Sequence, residues 1–175
     1  MNQNPIHTER LILQPISWQD AEDIFEYASQ PEVTRFLSFS PHKSIDDSYA
    51  FISKAIGRMA EKEFIEFAIH LKESQKCMGT IGIDKKGGTI TIGYASGKPY
   101  WGKGYMTEAL KGVIARSLED ESICRVDAIA DVDNTASWKL MEKCGMEREG
   151  RLRNYVVVDH LEPKERDVFM YSIVR

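Results

Sequence analysis

Between Phe64 and Ser96 the sequence carries three strand-like runs in succession, FIEFAIHLK, KCMGTIGID and TITIGYAS. The last two are separated by KKGG, where glycine supplies the positive φ angles of a tight hairpin turn. Parallel neighbours need a crossover of a dozen or more residues, so runs this close together pair as an antiparallel meander. That meander fixes the centre of a sheet around which every other element must be placed. In its third run Ile90, Ile92 and Tyr94 share one face, and Gly93 in the interior predicts a bulge or a close approach by another backbone.

The flanking segments read as strands alternating with helices. RLILQPI (Arg10 to Ile16) is a short apolar run ended by Pro15 and Ser17. Ser17 with Asp20 is a capping-box pair, opening a helix whose Trp18, Ala21, Ile24, Phe25 and Ala28 fall on one face and which Pro31 ends. PEVTRFLSFSP is aromatic and irregular. Ser44 with Asp47 then opens a second helix carrying Ile52, Ala55, Ile56 and Met59. After the meander, Met106, Ala109, Leu110, Val113, Ile114 and Leu118 repeat at helical spacing, and CRVDAIADV reads as a buried strand. Asp133 or Asn134 caps a further helix with Ala136, Leu140 and Met141, which stops at Gly145. Strands around LRNYVVVD and DVFMYSIV finish the chain. The order is β-α-α-β-β-β-α-β-α-β-β, an α/β (α+β) mixed sheet with helices on its faces. At 175 residues and 42% hydrophobic composition, the chain is expected to form one domain over residues 1–175 around one core.

Charge and composition exclude several roles. A net charge of −4 gives no basic field to draw the chain onto nucleic acid or an anionic membrane. The start, MNQNPIHTERL, lacks the apolar core of a signal peptide, and no apolar run approaches the ~18 residues of a membrane span, so a cytoplasmic location is expected. Cys77, Cys124 and Cys144 are widely spaced, as are His7, His42, His70 and His160, which matches neither a disulfide framework nor a metal motif. Neither is expected.

KPYWGKGYMTEA, Lys98 to Ala109, follows the meander directly and runs into a helix. Gly102 and Gly104 allow the backbone to turn tightly and approach a ligand, with consecutive N–H groups pointing inward. The helix start adds unpaired N–H groups and the positive end of its dipole, and Lys103 and Thr107 supplement them. Such a loop suits a diphosphate; the bland reading is a glycine-rich turn with a solvated lysine. A Rossmann site needs GxGxxG after the first strand of a βαβ unit, and the spacing here is GxGxxT after a meander. The triphosphate loop GxxxxGK with Ser or Thr is absent.

Taken together, TERLILQPI, IGYASGKPYWGKGYMTEAL, RVDAIADVDNTASWKLMEKCGMEREGRLRN and RDVFMYSI resemble the GNAT superfamily of acyl-CoA-dependent N-acetyltransferases, within it the RimJ/RimL branch. The resemblance spans nearly the whole chain. It implies acetyl-CoA as donor, a sheet split where the pantetheine arm enters, and a cofactor site formed by Tyr94, Ala95 and Ser96, the loop Trp101, Gly102, Lys103, Gly104, Tyr105, Met106 and Thr107, and Asn134 with Ser137. Laid on the superfamily loop, Trp101 takes the Gln or Arg place, Gly104 the central glycine, and Met106 a place usually held by a smaller residue.

The resemblance also frames the chemistry. N–H groups near Ala95 and Ser96 are expected to hold the thioester oxyanion. Ser137 is either a proton relay or a solvent-facing hydroxyl, and Asn134 caps its helix by its backbone while its amide touches the pantetheine arm. Many members use a Tyr acid at the place of Met141, and the branch's EIGY motif is TIGY here, with Thr91 for the glutamate. Glu108, Asp84, His70 and Tyr155 stay open as bases. An α-amino group, with pKa near ~8 against ~10 for an alkyl amine, is the easier nucleophile, which favours a protein or peptide N-terminus as acceptor. A small amine such as a polyamine or antibiotic, and a coenzyme A-binding sensor without turnover, are the rival readings. The acceptor pocket is expected along Phe36 to His42 and RNYVVVDHLEP. Oligomeric state is not encoded legibly.

Overall fold

The computed structural model describes residues 3–61 and 63–175. Met1 and Asn2, the first residues of the start segment read above for a leader, lie outside them, as does Lys62. The elements are β1 (Ile6–His7), β2 (Leu11–Pro15), α1 (Ala21–Ala28), α2 (Pro31–Thr34), α3 (Ile45–Met59), β3 (Phe64–Leu71), β4 (Cys77–Lys86), β5 (Thr89–Ser96), α4 (Tyr105–Glu119), β6 (Arg125–Asp131), α5 (Thr135–Lys143), β7 (Glu147–Val157) and β8 (Glu165–Val174). The expected order holds, with β1 and α2 added.

Both expected caps form. The Ser17 N–H and hydroxyl donate to Asp20 Oδ2 at 2.8 and 3.0 Å, and the Ser44 N–H donates to Asp47 Oδ2 at 3.2 Å. Each satisfies a backbone donor that helix geometry leaves unpaired at the entry to α1 and α3. Pro31 does more than end α1. It opens α2 in the first turn, where a missing N–H costs nothing.

The strands form one sheet in the order β1-β2-β3-β4-β5-β6-β8-β7. All neighbours are antiparallel except β5 and β6, which the α4 crossover makes parallel. The meander is β3-β4-β5, and Gly87 (φ 59°) turns the hairpin between its last two strands. The expected bulge at Gly93 is absent: β4 and β5 pair without a break from Thr89↔Lys86 to Ser96↔Gly79. The register shifts lie instead at Ile69/His70 on β3 and in β7.

Helices cover both faces. On β5, Gly93 and Ala95 face a cavity walled by α3, whereas Tyr94, pointing the other way, reaches α5. The core runs through both layers, with Leu11, Leu13, Ile24, Ile52, Phe67, Leu110 and Tyr171 fully buried. Burying such side chains contributes about 1.5–3 kcal/mol each. The packed layers thereby hold the ends of β5 and β6 in place.

Candidate active site

The parallel ladder between β5 and β6 is three residue pairs long: Thr89↔Arg125, Ile90↔Val126 and Thr91↔Asp127. Beyond it the strands diverge, although β6 continues against β8 as far as Asp131↔Val168. A clasp closes the fork. The Thr91 hydroxyl donates to Asp127 Oδ1 at 2.7 Å, and Arg125 Nε donates to the other Asp127 oxygen at 2.9 Å.

Past the fork, half of the β5 backbone has no strand partner. The Gly97 N–H donates to Met78 O at 2.9 Å, so Ser96 and Gly79 are a non-hydrogen-bonded pair, and directions alternate from there. Ala95 therefore spends its N–H on β4. Tyr94 and Ser96 present theirs to the split. This corrects the expectation for Ala95: the donors available to an oxyanion belong to the residues on either side of it.

Across the split stands the start of α5. The Asn134 backbone carbonyl accepts from the Ser137 and Trp138 N–H groups at 3.0 and 3.3 Å, as expected, and its Oδ1 adds a bond from the Ser137 N–H at 3.2 Å, which leaves the amide NH2 to donate elsewhere. The preceding turn is tied down by Arg166, whose guanidinium donates to buried Asp131 at 2.7 and 3.1 Å and to Asp133 at 2.7 Å. The Tyr94 hydroxyl lies 2.9 Å from Ser137 Oγ, bridging the two sides of the split. Burial pushes the Tyr94 phenol up to about 12, with the Ser137 hydrogen bond acting the other way. It therefore stays protonated and able to donate at neutral pH.

At the open end of β5 the glycine loop turns into α4. Gly102 (φ 73°) and Gly104 (φ 80°) occupy the left-handed region. The first intrahelical bond is Glu108 N–H to Gly104 O at 3.0 Å, so the N–H groups of Tyr105, Met106 and Thr107 have no intrahelical partner. Trp101, Gly102, Lys103 and Gly104 are exposed, and Trp101 Nε1 donates back to Ser96 O at 2.8 Å, tying the loop to the split. The Met106 side chain is buried in the core, so only its backbone faces the loop. Its bulk is accommodated inward.

Arg10 braces this loop, and the sequence reading missed it. Its Nη1 donates to Lys103 O at 3.1 Å, its guanidinium carbon sits 4.4 Å from the centre of the Tyr105 ring, and its Nε donates to Glu108 at 2.7 Å. Glu108 also accepts from the Arg10 N–H at 2.7 Å and the Thr8 hydroxyl at 2.5 Å. Burial opposes ionisation, yet these hydrogen bonds hold the Glu108 carboxyl below its ordinary value. Glu108 is a brace, not a base.

The other base candidates are also engaged or remote. Asp84 is ion-paired with Arg58, and Tyr155 is exposed on β7. His70 Nε2 lies 2.7 Å from Asp20 Oδ1, both buried, with Cys77 beside them. These three side chains, 20, 70 and 77 in the chain, converge through the fold, which the scatter of His and Cys in the sequence concealed. Burial pushes the Cys77 thiol up to about 12, with Asp20 adding to the rise. Burial works against Asp20, but hydrogen bonds from His70 and Ser17 hold it below its ordinary value.

On the opposite face of β5 lies a cavity of about 450 Å³. Its floor is Glu66, Thr80, Gly82, Thr91, Gly93 and Ala95, and its wall is α3 with Leu37, Ser38 and Phe39. Of the two segments expected along an acceptor pocket, Phe36 to His42 contributes Leu37, Ser38 and Phe39 to this cavity. The loop after β7 contributes no lining residue and instead docks on α2, where His160 Nε2 lies 3.1 Å from Thr34 O. Buried Glu66 is the acid that sequence reasoning overlooked, because FIEFAIHLK reads as a run of core residues.

A split sheet with a glycine loop at its mouth, a capped helix opposite and a walled cavity behind is the arrangement of an acyltransferase. The chain belongs to the acetyltransferase (GNAT) domain family, whose model matches residues 10–147, and it is an N-acetyltransferase of that family. It is 31% identical over 173 residues, 97% of this chain and 96% of the relative, to the uncharacterized N-acetyltransferase p20 of Bacillus licheniformis. Over 68 residues, 39% of this chain and 35% of the other, it is 34% identical to the [ribosomal protein uS5]-alanine N-acetyltransferase of Escherichia coli (strain K12). The crystal structure of a GNAT-family acetyltransferase from Bacillus anthracis superposes with a TM-score of 0.86 at 25% identity, covering 98% of each chain. Among the described residues no helix is long and apolar enough to cross a membrane.

Proposed function

We propose that the chain, acting as one domain, transfers the acetyl group of acetyl-CoA directly to a primary amine, and that the amine is the N-terminus of a protein or peptide. The observation that carries the donor half is the fork after Thr91↔Asp127, with unpaired β5 groups on one side and the α4 loop at its end. The diphosphate of coenzyme A would sit on the N–H groups of Tyr105, Met106 and Thr107, favoured by the positive end of α4. Lys103 supplies the complementary charge.

The pantetheine arm would extend along the edge of β5, with the Asn134 amide as a donor from the far side. The thioester carbonyl then lies near the Tyr94 and Ser96 N–H groups, aimed where negative charge develops on its oxygen. The linked hydroxyls of Tyr94 and Ser137 stand ready to protonate the departing thiolate, the role the family gives to a Tyr at the position of Met141.

Support for an N-terminal acceptor comes from the named activity of the uS5 relative and from the lower pKa of an α-amino group. The test is to incubate the chain with acetyl-CoA and a panel of short peptides, polyamines and aminoglycosides, and read products by mass. A gain of one acetyl group on peptide α-amines is expected. Acetylated polyamine or aminoglycoside alone would overturn the acceptor assignment, and donor binding without any product would favour a sensor.

A further inference from the structure

Glu66, Gly82 and Gly93 lie in register across β3, β4 and β5, all on the cavity face. The Glu66 side chain lies over Gly82: a Cβ built there would come within 2.6 Å of Glu66 Oε2. At Gly93 a Cβ would meet nothing within 4 Å. Two glycines therefore make a trough that starts at a buried carboxylate and opens at the split. Strands are spaced ~4.8 Å apart, so a carboxylate reaching over β4 ends about one strand spacing from the β5 edge, the width of one amine nitrogen or one water. Gly93, read from the sequence as a bulge or a close backbone approach, is instead the open end of this trough.

We propose that Glu66 is the general base of the reaction, receiving a proton from the acceptor ammonium in the Gly82–Gly93 trough. The inference rests on the acyl-transfer reading above. The branch's EIGY glutamate would project from position 91 into this same cavity, and Thr91 here spends its hydroxyl on Asp127. Glu66 brings a carboxylate to that space from two strands away.

The proton balance is complete. The ammonium N–H bond breaks and its proton passes to a Glu66 oxygen, directly or through one water. The freed nitrogen pair bonds to the thioester carbon, the C–S bond then breaks with its electron pair on sulfur, and the surplus nitrogen proton reaches the thiolate through the Ser137 and Tyr94 hydroxyls. Glu66 returns its proton to solvent, so each turnover releases one.

The surroundings suit the task. Arg58 and Lys54 face the cavity from α3 and Asp84 from β4, while β5 and the Leu37–Phe39 segment present no charge. Arg58 is ion-paired with Asp84 and stacked 3.7 Å over the Phe64 ring, so its charge is shared. From α1, Tyr27 reaches Thr80, which also hydrogen-bonds Glu66. Burial raises the Glu66 carboxyl to about 7, with Thr80 and Arg58 acting the other way. Such a base is half ionised at the pH where it works.

The experiment compares kcat/KM against pH for the wild type, Glu66→Gln and Glu66→Asp on an acetylatable peptide, with the acetyl-CoA-induced rise in melting temperature as a check on the donor site. Wild type should show an acidic limb near pH 7. Glu66→Gln should lose about 10²–10⁴-fold in rate and shift its limb to the acceptor's own pKa near ~8, with the donor-induced rise intact. Glu66→Asp should keep the limb at reduced kcat. A Glu66→Gln enzyme within twofold of wild type, or an unshifted limb, overturns the base while leaving acetyl transfer standing. A wild type that acetylates no amine overturns both.

Discussion

A buried carboxyl raised to about 7 makes folding itself depend on pH, with a sign that differs from that of a paired surface acid. The folded chain keeps the Glu66 proton up to about pH 7, whereas the unfolded chain releases it near 4.5. Between those values the folded state binds more protons, so stability falls as pH rises through the window. Integrating the two titrations, ionisation of Glu66 costs about 1 kcal/mol at pH 5 and about 3 kcal/mol at pH 8. Glu66→Gln keeps the shape and a partner for Thr80 but removes the charge. Its stability relative to wild type should therefore improve by about 2 kcal/mol between pH 5 and pH 8, with every other titrating group cancelling in the comparison. The assay is urea unfolding of both proteins at the two pH values, where a difference of this size moves the midpoint by on the order of 1 M. A stability difference that is the same at both pH values, or one that turns against Gln at pH 8, would refute a desolvated Glu66.

Two further predictions concern the split and its loop. Tyr94→Phe removes the partner of the Ser137 hydroxyl without touching the β5 backbone, so kcat should fall about tenfold or more while KM for acetyl-CoA holds, in steady-state kinetics. Arg10→Ala releases Lys103 O and the Glu108 carboxylate together. Calorimetric titration should show coenzyme A affinity weakened by about tenfold.

The local rules were legible where local chemistry decides. Ser17 with Asp20 and Ser44 with Asp47 marked both helix starts, KKGG marked the hairpin, and Gly145 (φ 85°) ended α5. β1 is too short to show a period, and Pro31 reads as a stop from one side and as a start from the other. Sheet order beyond the meander, with β8 inserted between β6 and β7, depends on packing that no local pattern records.

The site divides in the same way. The Gly102 to Gly104 turn and the Asn134 cap announce themselves by residue type and spacing. The Tyr94–Ser137 bridge spans 43 positions, and the Glu66 trough needs three strands in register before two glycines mean anything. Ala95 was misjudged because the direction of an N–H follows from ladder phase, which only the Gly97 to Met78 bond reveals. Arg10 sits in a strand-start motif and acts on a loop some ninety positions away.

The most direct measurement is the melting temperature of the wild type and of Gly104→Val with and without saturating acetyl-CoA. A ligand at a hundredfold its Kd adds about 2.7 kcal/mol, which for a chain of this length is a rise of roughly 5–10 °C. The wild type should show that rise. Gly104→Val, with a β-branched residue forced to φ 80° against Arg10 at the helix start, should show none. No rise in the wild type, or an equal rise in both proteins, would contradict a donor site built on the split and its loop.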